Sequence, residues 1–286
     1  MANPILREKL AKGEFVFAPG IQDMIAAVVA NKVGFDIVYA SGYWLVASAY
    51  GLPDAGIATY TQMLDRVSTL VERSNAAVVA DADTGYGGLL NVAHTVKGYE
   101  RAGVTAIQLE DQEFPKKCGH TPYRRVIPVL EMVDKVKVAV DSRSDENMQI
   151  IVRTDSVQSE GLNAAIDRAC AYRDAGADVL FIEAIHDEPD MIKACNAVAA
   201  PMMANMSNGG LTVMKSVEQL KSYGYAMAIA PALTSLAAMA AVENALLAMK
   251  QQGSPEPEGV PIGEFKEFCS LIGFEDVWAF ERKWAK

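Results

Sequence analysis

The sequence YERAGVTAIQLE at residues 99–110 returns in related form as YRDAGADVLFIE at residues 172–183. Each copy has the pattern of a helix end, a glycine that stops the helix, and an apolar strand that closes on a glutamate. A strand–helix unit that recurs favours one fold built from like units over two unrelated domains. The repeat therefore predicts an α/β protein, either a closed (β/α)8 barrel or an open, doubly wound sheet.

Eight short apolar runs, separated by amphipathic segments, favour the barrel. Each run is nearly continuous in apolar residues, as expected for parallel strands that are covered on both faces. The runs lie at residues 15–20, 36–42, 76–83, 106–111, 148–155, 178–184, 201–206 and 225–231. The first run is not followed by a GxGxxG pattern, which weakens the open dinucleotide-binding sheet. We therefore predict a TIM-type (β/α)8 barrel.

The barrel is expected to occupy residues 1–250 as the catalytic domain. Residues 251–286 are expected to form a linker and a C-terminal helical extension that is not an independent domain, because QQGSPEPEG at 251–259 is polar and broken by proline and glycine. Two helical segments rich in aromatic residues follow, at about 262–271 and 274–285. So much apolar surface needs a cover, which is either the chain's own barrel or a partner subunit.

Composition and charge narrow the class of protein. The 286 residues are 51% hydrophobic and 22% charged, which is typical of a globular protein. The formal net charge of −10 repels phosphate backbones, so we expect no nucleic-acid partner. The four cysteines form no CxxC pair, and the N-terminus lacks the apolar core of a signal peptide. The uncharged stretch 222–242 is interpreted as a buried strand followed by a buried helix, so we expect a cytoplasmic protein with no membrane partner.

Polar residues cluster where the predicted strands end, and α/β barrels carry their active sites at that edge. In chain order they are Tyr39, Ser41, Gly42, Asp81, Asp83, Glu110, Arg153, Glu183 and Asn205. These residues come from six successive runs, the second to the seventh. The sequence therefore predicts one polar site at the carboxyl ends of the strands.

Three of these residues suggest a metal site. Asp81 and Asp83 are two apart, so on a strand both side chains would point to the same side, where they repel unless a cation lies between them. Glu110 from the next strand would complete an oxygen-only site, which suits Mg²⁺ or Mn²⁺. The runs place no histidine at a strand end, which makes zinc a poorer fit. The alternative is that the acids pair with Arg153 and nearby lysines; we favour the metal.

The loop after the fourth run carries a candidate acid. Cys118 is flanked by Lys117 and, through Gly119, by His120. This positive setting is expected to lower the pKa of the thiol and to ease proton exchange near neutral pH. Gly119 permits the tight bends that a closing lid uses. The alternative is a free surface cysteine beside solvated lysines.

Seven ordered motifs resemble the isocitrate lyase/phosphoenolpyruvate mutase superfamily over nearly the whole chain. They are YASG at 39–42, GLPDAG at 51–56, DADTGYG at 81–87, LEDQ at 109–112, KKCGH at 116–120, RTD at 153–155 and EA at 183–184. The KKCGH sequence is the lyase signature of that superfamily. The chain is most similar to the branch of 2,3-dimethylmalate lyase, the petal death protein and 2-methylisocitrate lyase, from which it departs at Trp44.

The resemblance implies a role for each site residue. Asp83 would hold Mg²⁺ directly or through water, with Asp81 and Glu110 holding its waters. Cys118 would be the general acid on a gating loop, assisted by Lys117 and His120, while Tyr39 would handle the C2 hydroxyl. Substrate binding would fall to Ser41, Gly42, Tyr43, Asp54, Gly119, Arg153, Glu183 and Asn205, with Arg153 bridging both halves of the substrate.

The resemblance also implies an activity and an assembly. The chain would be a Mg²⁺-dependent carbon–carbon lyase that cleaves a small 2-hydroxy dicarboxylate, such as 2,3-dimethylmalate or 2-methylisocitrate, into a 2-keto acid and a carboxylate. It would form a homotetramer in which the eighth helix is exchanged between neighbouring barrels. The alternatives are an oxaloacetate hydrolase or decarboxylase, a phosphonopyruvate-processing enzyme, and a barrel that binds ligand without catalysis.

Overall fold

Eight parallel strands close into a barrel in the computed structural model, which describes residues 2–285. The strands are β1 (Val16–Ile21), β2 (Ile37–Ala40), β3 (Ala77–Asp81), β4 (Ala106–Glu110), β5 (Gln149–Thr154), β6 (Val179–Ile182), β7 (Met202–Asn205) and β8 (Met227–Ala230). Their order around the barrel follows the chain, and Val16 of β1 lies opposite Met227 of β8. This closure confirms the predicted barrel and excludes the open sheet.

Thirteen helices occur within residues 2–285, most of them packed around the strands. They are α1 (Ile5–Ala11), α2 (Met24–Val33), α3 (Gly42–Tyr50), α4 (Tyr60–Arg73), α5 (Leu89–Ala102), α6 (Val129–Ser142), α7 (Val157–Glu160), α8 (Leu162–Asp174), α9 (Glu188–Val198), α10 (Val217–Tyr223), α11 (Leu233–Gln252), α12 (Phe265–Leu271) and α13 (Phe274–Trp284). Both copies of the sequence repeat form a helix, a glycine and a strand. Gly103 and Gly176 adopt φ of 89° and 107°, a left-handed conformation that glycine reaches without a steric penalty.

The interior of the barrel is filled with side chains. Val79, Phe181, Met203 and Ile229 are almost fully buried there, together with Leu6 of α1. A larger apolar layer packs between the outer face of the strands and the surrounding helices. Each fully buried side chain of this kind contributes about 1.5–3 kcal/mol relative to its exposed state. The filled interior leaves the carboxyl ends of the strands as the place for a site.

Helix α11 differs from the prediction. The sequence predicted a buried helix after the eighth strand, but Ser235 is the one buried residue of α11. The first turn is held at the barrel, where Thr234 Oγ1 donates to the carbonyl oxygen of Gly20 at 2.7 Å. The exposed apolar residues beyond it include Met239, Val242, Leu246, Leu247 and Met249. Apolar composition alone does not distinguish a helix that faces a core from one that presents an apolar surface.

Within the described residues, α11 is also the one helix that is long and apolar enough to cross a membrane. The mean hydropathy of its most apolar stretch is 1.2, and 6% of that stretch is buried. Core helices of soluble proteins can have the same length and apolar composition. The expected absence of a membrane partner stays a prediction.

The C-terminal extension forms the two predicted helices, α12 and α13. Helix α12 contacts α2 of its own barrel, and Lys32 forms an ion pair with Glu267. Helix α13 has no buried residue, and Phe280 and Trp284 are 65% and 62% exposed. The barrel therefore covers part of the extension and leaves the aromatic residues of α13 open. Residues 1 and 286, the outer ends of the two predicted segments, lie outside the described residues.

Candidate active site

A cavity of about 330 Å³ opens at the carboxyl ends of the strands. It is lined by most of the sequence-predicted site residues: Tyr39, Ser41, Tyr43, Asp54, Asp81, Glu110, Lys117, Cys118, Gly119, His120, Arg153, Glu183 and Asn205. The remaining two, Gly42 and Asp83, contact Asp81 and lie beside the cavity. The structure therefore brings the whole predicted set together.

Asp81 and Asp83 are neighbours through a turn rather than through strand alternation. Asp81 is the last residue of β3, whereas Asp83 lies beyond the strand with a left-handed φ of 50°. The prediction that both side chains point to one side of a strand was therefore wrong. The backbone N–H groups of Asp83 and Gly42 each donate to Asp81 at 3.1 Å. A Cβ atom on Gly42 would lie 2.9 Å from Asp81 Oδ2, so this close approach requires glycine.

Lys116 is a central residue that sequence reasoning missed. Its Nζ atom lies 2.6 Å from Asp54 Oδ1 and 2.7 Å from Asp83 Oδ1, and its side chain is 3% exposed. The prediction chose Lys117 because it adjoins Cys118, but the side chain of Lys117 is exposed. Burial raises the pKa of Asp83 to about 7, against the opposing effect of the Lys116 ammonium. The KKCGH motif could have indicated Lys116, since it contains two adjacent lysines and either one could turn towards the cavity.

Glu110 supplies a test of whether the acids fit a metal ion. It is 1% exposed, and its Oε1 atom is buried without a hydrogen-bond partner. Burial raises the pKa of Glu110 well above its usual value, although Arg153 and Lys116 oppose this. Residues 2–285 contain no ready-made cluster of three His, Cys, Asp or Glu ligands. An unpartnered oxygen in an all-carboxylate set fits a hard divalent cation that is bound partly through water.

Arg153 is held rigidly at the centre of the cavity. Its Nε and Nη2 atoms donate to both carboxylate oxygens of Asp155 at 2.9 and 2.8 Å. Its guanidinium also lies 3.6 Å from carboxylate oxygens of Glu110 and Glu183. Burial alone would raise the pKa of Asp155, but Arg153 and Arg124 lower it below the usual value. No role was predicted for Asp155, although the RTD motif at 153–155 contains it, or for Arg124, which no sequence motif indicated.

The loop with Cys118 lies over the mouth of the barrel. The Cys118 N–H donates to the carbonyl of Asp54 at 3.2 Å, and Gln112 exchanges two hydrogen bonds with the backbone of Lys117. A Cβ atom on Gly119 would lie 1.9 Å from Arg153 Nη2. The loop is therefore seated directly on the guanidinium, without space for a side chain at position 119.

The predicted pKa direction for Cys118 was wrong. Burial raises the pKa of its thiol, and the backbone hydrogen bond at His120 only partly offsets that effect. The lysine and histidine neighbours suggested the opposite, because the sequence does not show how strongly the folded loop dehydrates the sulfur. The raised pKa favours the role of general acid for Cys118, because its thiol stays protonated at neutral pH.

His120 and Asn205 form the far side of the cavity. His120 Nδ1 accepts from the N–H of Leu211 at 3.2 Å, and its Nε2 lies 3.3 Å from Asn205 Nδ2. Asn205 Nδ2 also donates to Glu183 at 2.8 Å. Burial lowers the pKa of His120, so the ring is neutral at neutral pH. The predicted positive charge beside Cys118 is therefore absent at this position.

Tyr39 is buried at the floor of the cavity. Its hydroxyl donates to Gln108 Oε1 at 2.9 Å. Burial, followed by the charge of Asp81, raises the pKa of Tyr39 well above its usual value. The phenol therefore remains protonated and acts as a hydrogen-bond donor, not as a base.

The comparison with known proteins places this site in a family. The sequence model of phosphoenolpyruvate phosphomutase matches residues 6–250. The chain belongs to this family. It is 39% identical over 280 residues to 2,3-dimethylmalate lyase of Eubacterium barkeri, covering 98% of this chain and 97% of the relative. It is 37% identical over 280 residues to 2-methylisocitrate lyase of Halalkalibacterium halodurans, covering 98% and 92%.

Solved structures of family members have the same fold. A crystal structure of 2,3-dimethylmalate lyase matches with a TM-score of 0.93 at 32% identity, covering 100% of this chain and 96% of that chain. Oxaloacetate acetylhydrolase bound to 3,3-difluorooxalacetate matches with a TM-score of 0.91 at 31% identity, covering 97% and 95%. Phosphonopyruvate hydrolase bound to oxalate and Mg²⁺ matches with a TM-score of 0.89 at 25% identity, covering 100% of both chains. The predicted resemblance and barrel are confirmed, and the names of the relatives support the predicted carbon–carbon lyase.

Proposed function

We propose that the protein is a Mg²⁺-dependent carbon–carbon lyase that cleaves the C2–C3 bond of a 2-hydroxy dicarboxylate. The products are a 2-keto acid such as pyruvate and a second carboxylate. The observation that carries the proposal is the seating of the Cys118 loop on Arg153, above the buried acids. A protonated thiol, a fixed guanidinium and a group of buried carboxylates line this one cavity, which supports the proposal. The relatives named 2,3-dimethylmalate lyase and 2-methylisocitrate lyase support the same reaction class.

Mg²⁺, or Mn²⁺ in its place, is the proposed cofactor. Asp83 would hold the ion directly or through water, and Asp81 and Glu110 would hold its waters. The unpartnered oxygen of Glu110 supports this assignment, as does the Mg²⁺ in the related phosphonopyruvate hydrolase structure. The ion would supply Lewis acidity at the keto-acid half of the substrate.

The start of α3 is the proposed site for the carboxylate of the keto-acid half. The Gly42 N–H is already engaged, since it donates to Asp81 at 3.1 Å. We therefore assign carboxylate binding to the Ser41 side chain and the N–H of Tyr43, with Gly42 providing the space for Asp81. The single O–H of Tyr39 is engaged with Gln108 Oε1, so Tyr39 would donate to the C2 oxygen by turning this O–H away from Gln108. Asp54 acts through its ion pair with Lys116.

Bond cleavage leaves charge that these residues are placed to stabilise. The C2 hydroxyl transfers its proton to a carboxylate of the Asp81, Asp83 and Glu110 set and becomes a ketone as the C2–C3 bond breaks, and the electron pair of that bond remains on C3 beside a carboxylate. Arg153 binds that carboxylate, because a guanidinium offers paired donors to planar oxyanions. Cys118 then donates its proton to C3, and a positioned acid of this kind contributes about 10²–10⁴-fold in rate.

The remaining residues position this machinery. Gly119 lets the loop reach Arg153, while Glu183 and Asn205 fix the far side together with His120. Lys117 is exposed on the same loop and would act at the mouth of the cavity. A loop seated over the cavity excludes water from the carbanionic product.

A panel of acids tests the proposal. The full chain, with Mg²⁺ and then with EDTA, is offered 2,3-dimethylmalate, 2-methylisocitrate, isocitrate, oxaloacetate and phosphonopyruvate, and keto acid is measured. The proposal requires Mg²⁺-dependent keto acid release from at least one 2-hydroxy dicarboxylate. Turnover of phosphonopyruvate alone would contradict it.

Oxaloacetate hydrolysis or decarboxylation is the second candidate. The match to oxaloacetate acetylhydrolase supports it, as does the bulky Trp44 beside the cavity, because oxaloacetate has no C3 substituent. The same panel separates the candidates, since this one predicts consumption of oxaloacetate without cleavage of any alkylmalate.

The assembly is proposed to be a homotetramer in the cytoplasm, with α11 exchanged between neighbouring barrels. The exposed apolar residues of α11 and α13 support a partner subunit on these surfaces. Light scattering of the purified chain tests this. A monomer at micromolar concentration would contradict it.

A further inference from the structure

A buried amide lies inside the barrel, below the cavity. Gln108 of β4 has no exposed surface, and its neighbours Ile107 and Leu109 belong to the apolar layer outside the strands. Side chains alternate along a strand, so Gln108 points into the barrel, where apolar side chains such as Val79 and Phe181 fill the space. An amide in such surroundings is unfavourable unless its polar atoms have partners. The partners of Gln108 therefore need an explanation.

The amide of Gln108 has a partner for only one of its two polar atoms. Its Oε1 atom accepts from the Tyr39 hydroxyl at 2.9 Å. Its Nε2 atom is buried and has no acceptor among residues 2–285. The oxygen and nitrogen atoms of an amide occupy nearly the same space, so a half-turn of the amide exchanges them without displacing a neighbour. Within the described residues, no hydrogen bond to Nε2 opposes that half-turn.

The orientation of this amide decides where the proton of Tyr39 points. Tyr39 lines the cavity, whereas Gln108 is not among the lining residues. While Gln108 presents Oε1, the one phenol proton is directed away from the cavity, and turning it towards a ligand would leave Oε1 buried without a donor. When Gln108 presents Nε2, its N–H donates to the phenol oxygen. The phenol O–H is then free to donate into the cavity with no bond lost.

We infer that Gln108 is a positioning residue whose amide turns when substrate binds, so that Nε2 donates to Tyr39 and Tyr39 donates to the C2 oxygen. This inference rests on the proposed lyase function, which assigns the C2 oxygen to Tyr39. The two hydrogen bonds then run in one direction, and each bond in such a chain is strengthened by about 10–30%. The C2 oxygen gains negative charge as its proton leaves. The chain therefore stabilises the transition state more than the bound substrate.

A crystal structure of the full chain with Mg²⁺ and oxalate tests the inference without turnover. Ionised oxalate has only acceptor atoms, so a Tyr39 hydroxyl within about 3.2 Å of an oxalate oxygen must donate to it. If the Gln108 amide stays within the same distance of that hydroxyl, it must present Nε2, because the phenol has no second proton. We expect both contacts in the complex.

The other outcomes of this experiment separate the two proposals. Oxalate bound at Tyr39 with the Gln108 amide more than about 4 Å from the hydroxyl would overturn the inference and leave the lyase function intact. Oxalate bound out of reach of Tyr39 would do the same. A cavity without oxalate would contradict both. If both contacts form but the acid panel gives no keto acid, the lyase function fails and the amide turn stands.

A double-mutant cycle tests whether Gln108 acts through Tyr39. Tyr39→Phe removes the donor and should lower kcat by about 100-fold. Gln108→Met keeps a similar volume without an N–H and should lower kcat by about 10-fold, with little change in KM. The double variant should be no slower than Tyr39→Phe alone. Losses in kcat that multiply would overturn the inference.

Thermal melting and a matched variant separate positioning from a structural role. Gln108→Met removes an unpartnered N–H together with one hydrogen bond, so its melting temperature should change little. Gln149→Met is the control, because Gln149 begins β5 at the opposite end of the barrel and its amide donates to the backbone of Glu146 at 2.9 Å. We expect its kcat to be unchanged. A lower melting temperature of Gln108→Met with full kcat, or equal losses of kcat in both variants, would overturn the inference. The oxalate complex decides the matter if Gln108→Met does not fold.

Discussion

Gly119→Ala tests how tightly the Cys118 loop must sit on Arg153. The added Cβ would lie 1.9 Å from Arg153 Nη2, 3.0 Å from its Cζ and 3.1 Å from Glu183 Cγ. The guanidinium is held by two hydrogen bonds to Asp155, whereas the loop lies at the surface, so the loop should move. A shift of about 1 Å in a catalytic group can cost about 100-fold in rate, or about 2.7 kcal/mol in the activation barrier.

The assay for this variant is keto acid release at saturating Mg²⁺, with kcat and KM measured separately, beside a thermal melt. We expect kcat to fall by about 100-fold and the melting temperature to change by less than about 3 °C, because the displaced loop buries little apolar surface. Gly263→Ala is the matched control, since a Cβ there meets no atom within 4 Å. Full activity of Gly119→Ala would refute the reasoning, and so would equal losses in both variants.

Three further perturbations have definite expected outcomes. Cys118→Ser should lower kcat by about 10²–10⁴-fold with little change in KM, measured in steady-state kinetics, because a hydroxyl is a weaker acid than the thiol. Burial raises the pKa of the Cys118 thiol, so the thiol should stay protonated to a higher pH than an ordinary cysteine. In a pH profile, kcat should therefore fall as pH rises through that raised pKa. If kcat of Cys118→Ser falls over the same pH range, the titrating group is not Cys118. Lys116→Met leaves Asp54 and Asp83 buried without their partner and should destabilise the protein by about 3–5 kcal/mol in urea unfolding, with a change below 1 kcal/mol as the contradicting result.

The barrel and the location of its site follow from local sequence patterns. The repeated unit at 99–110 and 172–183 and the eight apolar runs determine strands that are covered on both faces, and parallel strands align their carboxyl ends. The polar residues at those ends had to meet at one edge. The register of β4 and β5 shows this directly, since Glu110 lies opposite Arg153.

The features that were missed depend on the folded backbone and on burial. Strand alternation does not extend past Asp81, because Asp83 lies in a turn of left-handed conformation. Lys116 and Lys117 are adjacent in an irregular loop, where no periodicity indicates which side chain turns inward. The pKa direction of Cys118 is set by dehydration of the folded loop, which sequence neighbours do not show.

The exposure of α11 was missed for a related reason. An apolar helix of 20 residues can face the core of its own domain or present an apolar surface outside it, and the composition is the same in both cases. The aromatic residues of α12 and α13 were likewise compatible with packing on the chain's own barrel or on a partner subunit. In the structure, α12 packs on its own barrel.

The central claim is most directly tested by proton NMR of 2,3-dimethylmalate incubated with the full chain and Mg²⁺. The account predicts that pyruvate and propionate appear in equal amounts, that EDTA stops their release, and that Cys118→Ser slows it by at least about 100-fold. Absence of pyruvate from both 2,3-dimethylmalate and 2-methylisocitrate, or release of the products at the same rate in the presence of EDTA, would contradict the account.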